Sequence, residues 1–169
     1  MSIAMYDVSV PVLLRGLTNL SAILDKALAH AETKKFDAAV LAQSRIFPDM
    51  HTLARQVQIA CDTAKGAAAR LAGVDVPKHE DSEVTLADLK VRIAKTIDFL
   101  KTVAPAQLQG SETRNIEIKF PNGSWTFTGL NYLNGFVLPN FYFHTAIVYA
   151  LLRKAGVEVG KRDYLGELQ

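Results

Sequence analysis

Asn140 and His144 are the residues whose types and spacing most readily do chemistry in this chain. They stand i, i+4 within the stretch LNYLNGFVLPNFYFHTAIVYALLRKA, Leu130 to Ala155, and on a helix that spacing puts both side chains on one face. An imidazole can hold a metal, take a proton or accept a hydrogen bond, and an amide can orient it. Other reactive groups are few. Cys61, between Ala60 and Asp62 in a helical pattern, could be a nucleophile but reads more simply as a small buried residue. As the single cysteine it excludes an internal disulfide and any zinc site built on two or more thiolates. Asp62 and Lys65, one turn apart, read as a helix-surface ion pair. Turned inward, Asp62 would be the carboxylate beside His144, able to orient it or act as its base. His51 reads as a solvated first-turn residue, His79 as surface loop between Lys78 and Glu80, and His30 as a surface residue near a helix end.

The elements that must position these groups follow from hydrophobic period. Val10, Leu13, Leu14, Leu17, Leu20, Ile23, Leu24, Ala27 and Leu28 predict helix one over about Asp7–Glu32, with Pro11 in its first turn. A short helical piece, AAVLAQSRI, follows, and Pro48 marks a boundary. Helix two is predicted over Asp49–Leu71, its second half rich in Ala and containing Gly66, so that a neighbour can approach closely. Gly73 is its expected C-cap, and Val74–Ser82 a loop. Either Ser82 or Thr85 caps helix three, whose stripe is Leu86, Leu89, Ile93, Ile97, Leu100 and Val103, closed by Pro105 and Gly110.

From Asn115 to Thr128 the period changes to two, with Ile116, Ile118, Phe120 on one side of Asn122-Gly123 and Trp125, Phe127 on the other. That is the signature of a β-hairpin, and a lone hairpin must lay its apolar face on the bundle or on a partner. Thr128 is the expected cap of helix four and Gly156 its end. Pro139 should kink that helix just before Asn140 by freeing the carbonyl of Gly135. Val157–Gln169 is expected to pack loosely. The expected architecture is all-α, a four-helix bundle with a small β-hairpin inserted before the last helix, as a single domain over 1–169. The aromatics Tyr132, Phe136, Phe141, Tyr142, Phe143, Tyr149 and Trp125 read as core, yet helix four has more apolar circumference than three neighbours cover. That surplus, with the hairpin, predicts a homodimer.

Composition sets the outer limits. The chain has 169 residues, 49% of them hydrophobic and 21% charged, enough for a real core. The net charge of +2 is spread out, with no Lys/Arg stripe for a phosphate backbone, so nucleic acid is not an expected partner. The charge-free run from Phe120 to Leu152 is broken by Asn122, Gly123, Asn131, Asn134, Pro139, Asn140 and His144, which makes it a poor membrane segment. The start, MSIAMYDVSV, has no basic region followed by a long apolar one. The expectation is a soluble, cytoplasmic protein with no membrane partner.

Asn140-Phe-Tyr-Phe-His144, the apolar run on to Leu152-Arg-Lys-Ala-Gly156, and Asp163-Tyr164 together resemble the last helix of the DinB/YfiT-like metalloenzyme superfamily. More closely, the whole chain resembles a bacterial family of unknown function within it, domain of unknown function number 1993. Phe47-Pro48-Asp49-Met50 and the stretch Leu53 to Asp62 fit as well. The resemblance implies a DinB-like four-helix bundle, often dimeric, and in metal-binding members a divalent ion on three histidines, one from helix two and two at i, i+4 on helix four. His144 matches the second of these and Asn140 stands in the place of the first. On helix two the matching position is Gln56, or Gln58 in a register two residues on, with His51 the alternative if the helix is placed differently. One imidazole with two amides is a weak set for nickel or zinc, because amide oxygens bind them poorly. The expected site is therefore a pocket of Gln56, Asn140 and His144 in a bundle with a degenerate metal site, serving small-molecule binding or regulation. The alternative is a divalent-metal-dependent hydrolase or thiol transferase using His144, and no substrate is identified by either.

Overall fold

The helices form along apolar stripes, and some of them are opened by a capping threonine. A computed structural model describes residues 3–167. Helix α1 spans Val10–Lys34, with Pro11 in its first turn; Val10, Leu13, Leu17, Leu20, Ile23, Leu24, Ala27 and Ala31 are buried along it, and Lys35 ends it in a left-handed conformation, φ 56°. A single turn, α2 (Ala39–Ala42), leads to α3 (Leu53–Ala72). This helix starts later than its periodicity predicts. The hydroxyl of Thr52 accepts the backbone N–H of Arg55, 3.2 Å away, which makes Thr52 the cap and leaves His51 outside the helix on the preceding segment. Gly73 closes α3 in the left-handed region.

Of the two candidate caps for α4 (Leu86–Thr102), Thr85 is the one used. Its hydroxyl accepts from Asp88 N–H at 3.1 Å while the Asp88 carboxylate accepts from Thr85 N–H at 3.0 Å. The strands β1 (Asn115–Phe120) and β2 (Gly123–Thr128) pair antiparallel with Asn115 opposite Thr128 and Phe120 opposite Gly123. That register makes Pro121-Asn122 the two-residue turn, one position earlier than the Asn-Gly dipeptide suggests, with Gly123 beginning β2 at φ 155°. Ile116 is buried in the core and Ile118 and Phe127 pack on its edge, while Phe120 and Trp125 at the far end stay exposed.

The last long helical stretch, Gly129–Lys154, is made of three parts: α5 (Gly129–Tyr132), a π-helical turn (Leu133–Val137) and α6 (Leu138–Lys154). The Leu138 N–H bonds back to the Leu133 carbonyl, five residues earlier. The widened turn sits just ahead of Pro139, so the ring falls in the first turn of α6, where a missing N–H is tolerated. The sequence expectation of a proline in mid-helix misses this device. By length and composition this stretch is the one helix among the described residues that could cross a membrane. In the fold it packs on α3, with Phe141, His144, Val148, Leu151 and Leu152 buried.

The segment after Gly156 does not pack loosely. Val157 and Val159 are buried, and α7 (Lys161–Leu165) lies on α1, where Asn19 Nδ2 donates to the Tyr164 carbonyl at 3.1 Å and Lys26 pairs with Asp163 at 2.6 Å. The last two positions, 168 and 169, lie outside the described residues.

Candidate functional site

Helices α3 and α6 meet along a row of small residues. Ala60 and Ala67 are buried on the α3 face that also carries Gln56 and Thr63, and their lack of bulk lets polar side chains of the two helices touch. Two such contacts form. His144 Nδ1 lies 2.6 Å from Gln56 Oε1, and Asn140 Nδ2 donates to Thr63 Oγ1 at 2.7 Å. Position rises on one helix as it falls on the other, so the helices run antiparallel. Gln56 is the matching residue of α3; Gln58, the alternative register, is instead bonded to Glu83 Oε2 at 2.9 Å.

An amide oxygen only accepts, so His144 Nδ1 carries the proton and Nε2 is the bare lone pair. Gln56 is held in this orientation by its own Nε2, which donates to the His51 carbonyl at 3.4 Å. His144 is buried, and burial, then the nearby His51 and Arg55, push its pKa down to about 4. Near neutral pH it is therefore an uncharged imidazole. Its ring meets Phe143 edge-on, centroids 5.2 Å apart, and Phe143 is exposed beside it.

Asn140 and His144 thus share a helix face but not a partner. Thr63, one of the contacting residues, carries no signal of its own in the sequence; it stands seven positions after Gln56, on the same face of α3, and that spacing could have found it. Asp62 takes no part. It pairs with Lys65 Nζ and with Arg92 Nη2, each at 2.8 Å, so the expected ion pair with Lys65 is present and extends to a cation the sequence reading did not single out. Arg92 is 2% exposed and also reaches Asp81 at 3.0 Å, Glu83 at 3.1 Å and the Glu80 carbonyl at 3.0 Å. Its place between Leu89 and Ile93 in the buried stripe of α4 was the available clue. His79 lies in the loop before α4 and is half-buried rather than fully at the surface, and burial, then Lys65 and Arg92, lower its pKa. His30 is likewise half-buried, edge-on to Phe36. Cys61 is fully buried, and burial pushes its thiol up to about 12.

The family model for a domain of unknown function, DUF1993, matches residues 5–165. The chain belongs to the DUF1993 family. The crystal structure of a DinB family member protein from Shewanella denitrificans, at 1.83 Å resolution, is 46% identical to this DUF1993 protein, with a TM-score of 0.90 over 97% of this chain and 93% of that one. The DUF1993 chain thus has the DinB-like fold, mostly helical with one small antiparallel hairpin. No curated protein matches it.

Proposed function

We propose that this DUF1993 protein is a small-molecule-binding or regulatory bundle, a cytoplasmic homodimer on the four-helix plan whose metal site has degenerated to a polar contact. The observation that carries the reading is the 2.6 Å contact of His144 Nδ1 with Gln56 Oε1. The DinB-like fold implies a divalent metal here, and the donor set does not fit one. The Gln56 oxygen is turned onto the imidazole and the Asn140 amide onto Thr63, so two of the three groups face protein partners, and both are amides that bind nickel or zinc weakly. Among the described residues no three His, Cys, Asp or Glu side chains cluster as metal ligands. What the site offers is a neutral acceptor, Nε2, for a ligand's N–H or O–H. Cys61, buried with its thiol raised to about 12, is no source of thiolate.

The homodimer is supported by apolar surface left on the last helical stretch. Leu130, Tyr142 and Phe143 are exposed there, and only 39% of its most apolar window is buried within the chain. The second reading, a divalent-metal-dependent hydrolase or thiol transferase using His144, draws on the same bare Nε2, the nitrogen a metal would take.

The test is elemental analysis of untagged protein before and after incubation with nickel, zinc and manganese, beside His144→Ala, with light scattering for mass. The proposal expects no stoichiometric metal in either protein and a dimer mass. Near-stoichiometric metal that the variant loses would overturn it in favour of the metalloenzyme.

A further inference from the structure

A cavity of about 150 Å³ lies between α1, α6 and α7, away from His144. His144 faces α3; Thr145, the next residue, faces α1 and α7. The cavity's walls are Val12, Leu20, Ile23 and Phe141. Gly16 allows the Phe141 wall, since a Cβ there would stand 2.5 Å from the ring. An apolar cavity of roughly this volume in another protein admits benzene, so the apolar body of a ligand here is about one six-membered ring.

The rest of the lining is polar in an ordered way. Thr145 Oγ1 donates to the Phe141 carbonyl at 3.0 Å, and the Tyr164 hydroxyl lies 3.0 Å from Thr145 Oγ1 and 3.4 Å from the Tyr142 carbonyl, so its proton has an acceptor within the protein. Asn19 Nδ2 is used by the Tyr164 carbonyl. Arg15 is the charged residue of the lining; no lining residue is acidic, and Arg15 forms no ion pair among the described residues. The wall formed by α7 is fixed, because Asp163 both pairs with Lys26 at 2.6 Å and accepts from Gly160 N–H at 2.7 Å.

We propose that this cavity is a binding site for a small organic carboxylate with an aromatic or branched apolar body, its ring among Leu20, Ile23 and Phe141 and its carboxylate on Arg15. The ring-sized apolar chamber selects the body. The lone cation at its side selects the charge, and the planar guanidinium fork matches a carboxylate's two oxygens. This site is independent of His144.

The probe is benzoate, with benzyl alcohol as its uncharged counterpart, titrated into the full chain and followed by backbone amide shifts and calorimetry. Three proteins are compared: wild type, Arg15→Gln and Val12→Phe. Saturable benzoate shifts around Gly16, Thr145 and Tyr164 are expected. Arg15→Gln should weaken benzoate about tenfold, the size of one charge-assisted hydrogen bond, and leave benzyl alcohol unchanged. Val12→Phe should abolish both by filling the chamber. Arg15 is exposed, so its variant folds whatever Val12→Phe does. The absence of saturable shifts with benzoate would overturn the site. Benzoate binding that Arg15→Gln leaves unchanged, or no tighter than benzyl alcohol, would overturn the carboxylate assignment.

Discussion

His144 Nδ1 meets Gln56 Oε1 at 2.6 Å across the α3–α6 interface, and this contact fixes the tautomer of the imidazole while burial keeps it uncharged. The amide oxygen holds the proton on Nδ1, and burial disfavours a second one on Nε2. Replacing Gln56 by Leu leaves a buried N–H without an acceptor, at a cost of about 1–3 kcal/mol. Urea denaturation measures that cost, and ¹⁵N shifts of the ring should show Nδ1–H in the wild type alone. A variant of unchanged stability with the same tautomer would show that Gln56 does not hold the ring.

The depressed pKa of His144 makes stability depend on pH in a defined window. In the unfolded chain the imidazole takes a proton near its ordinary value of 6.5, in the folded chain only near about 4. Between these values the unfolded state binds more protons, so stability falls as pH falls, by about 3 kcal/mol in all. It is fully present above pH 6.5. His144→Gln should flatten most of the slope from neutral pH down to mildly acidic, leaving the smaller share due to His79, whose pKa is also lowered. Denaturant midpoints across that range decide it, and an undiminished slope in the variant would locate the effect elsewhere.

The long helices and the hairpin were legible because each buries one face, and burial on one face writes a period of 3.6 or 2 into the residues. His144, Asn140 and Gln56 were legible as residues facing one interface. Their pairing was not, since whether Asn140 turns to His144 or to Thr63 depends on the relative height of two helices, which no single-chain period encodes. The turn at Pro121-Asn122 escaped for a related reason: register is set by both strands together. The π-helical turn was hidden because its neighbours Leu133, Val137 and Phe141 keep a helical spacing through it. The role of α7 rests on contacts between positions 145 apart, Asn19 and Tyr164, which a short segment of mixed polarity does not announce.

Two glycines of the same helical stretch should respond oppositely to alanine. At Gly129 an added Cβ would run into the backbone carbonyl oxygen of Ser111, and backbone cannot move aside as a side chain does. Gly129→Ala should cost about 3 kcal/mol, at the upper end of single-residue effects, or prevent folding. At Gly135, in the π-helical turn, a Cβ would meet nothing within 4 Å, and the gain in helix preference should stabilise by about 0.5–1 kcal/mol. Thermal midpoints of the two variants check the pair, and equal effects would mean that the turn next to Ser111 yields more readily than its geometry implies.

Arg92 holds together a cluster whose carboxylates differ in their access to water. Glu83 is 13% exposed, whereas Asp62 and Asp81 are 37% and 42% exposed. Burial opposes the charge on Arg92, yet its hydrogen bonds to Glu83 and the charge of Asp62 outweigh it and raise its pKa. Arg92→Met removes the cation and leaves Glu83 charged in a poorly hydrated place, a loss of about 3–5 kcal/mol. Asp62 still has Lys65 at 2.8 Å, and Asp81 can hydrate, so most of the penalty belongs to Glu83. The double variant Arg92→Met/Glu83→Gln should therefore recover more than half of the loss, and Arg92→Met/Asp81→Asn little. Denaturation of the two double variants separates these outcomes: equal recovery would mean that the penalty is shared across the cluster rather than concentrated where water is least available.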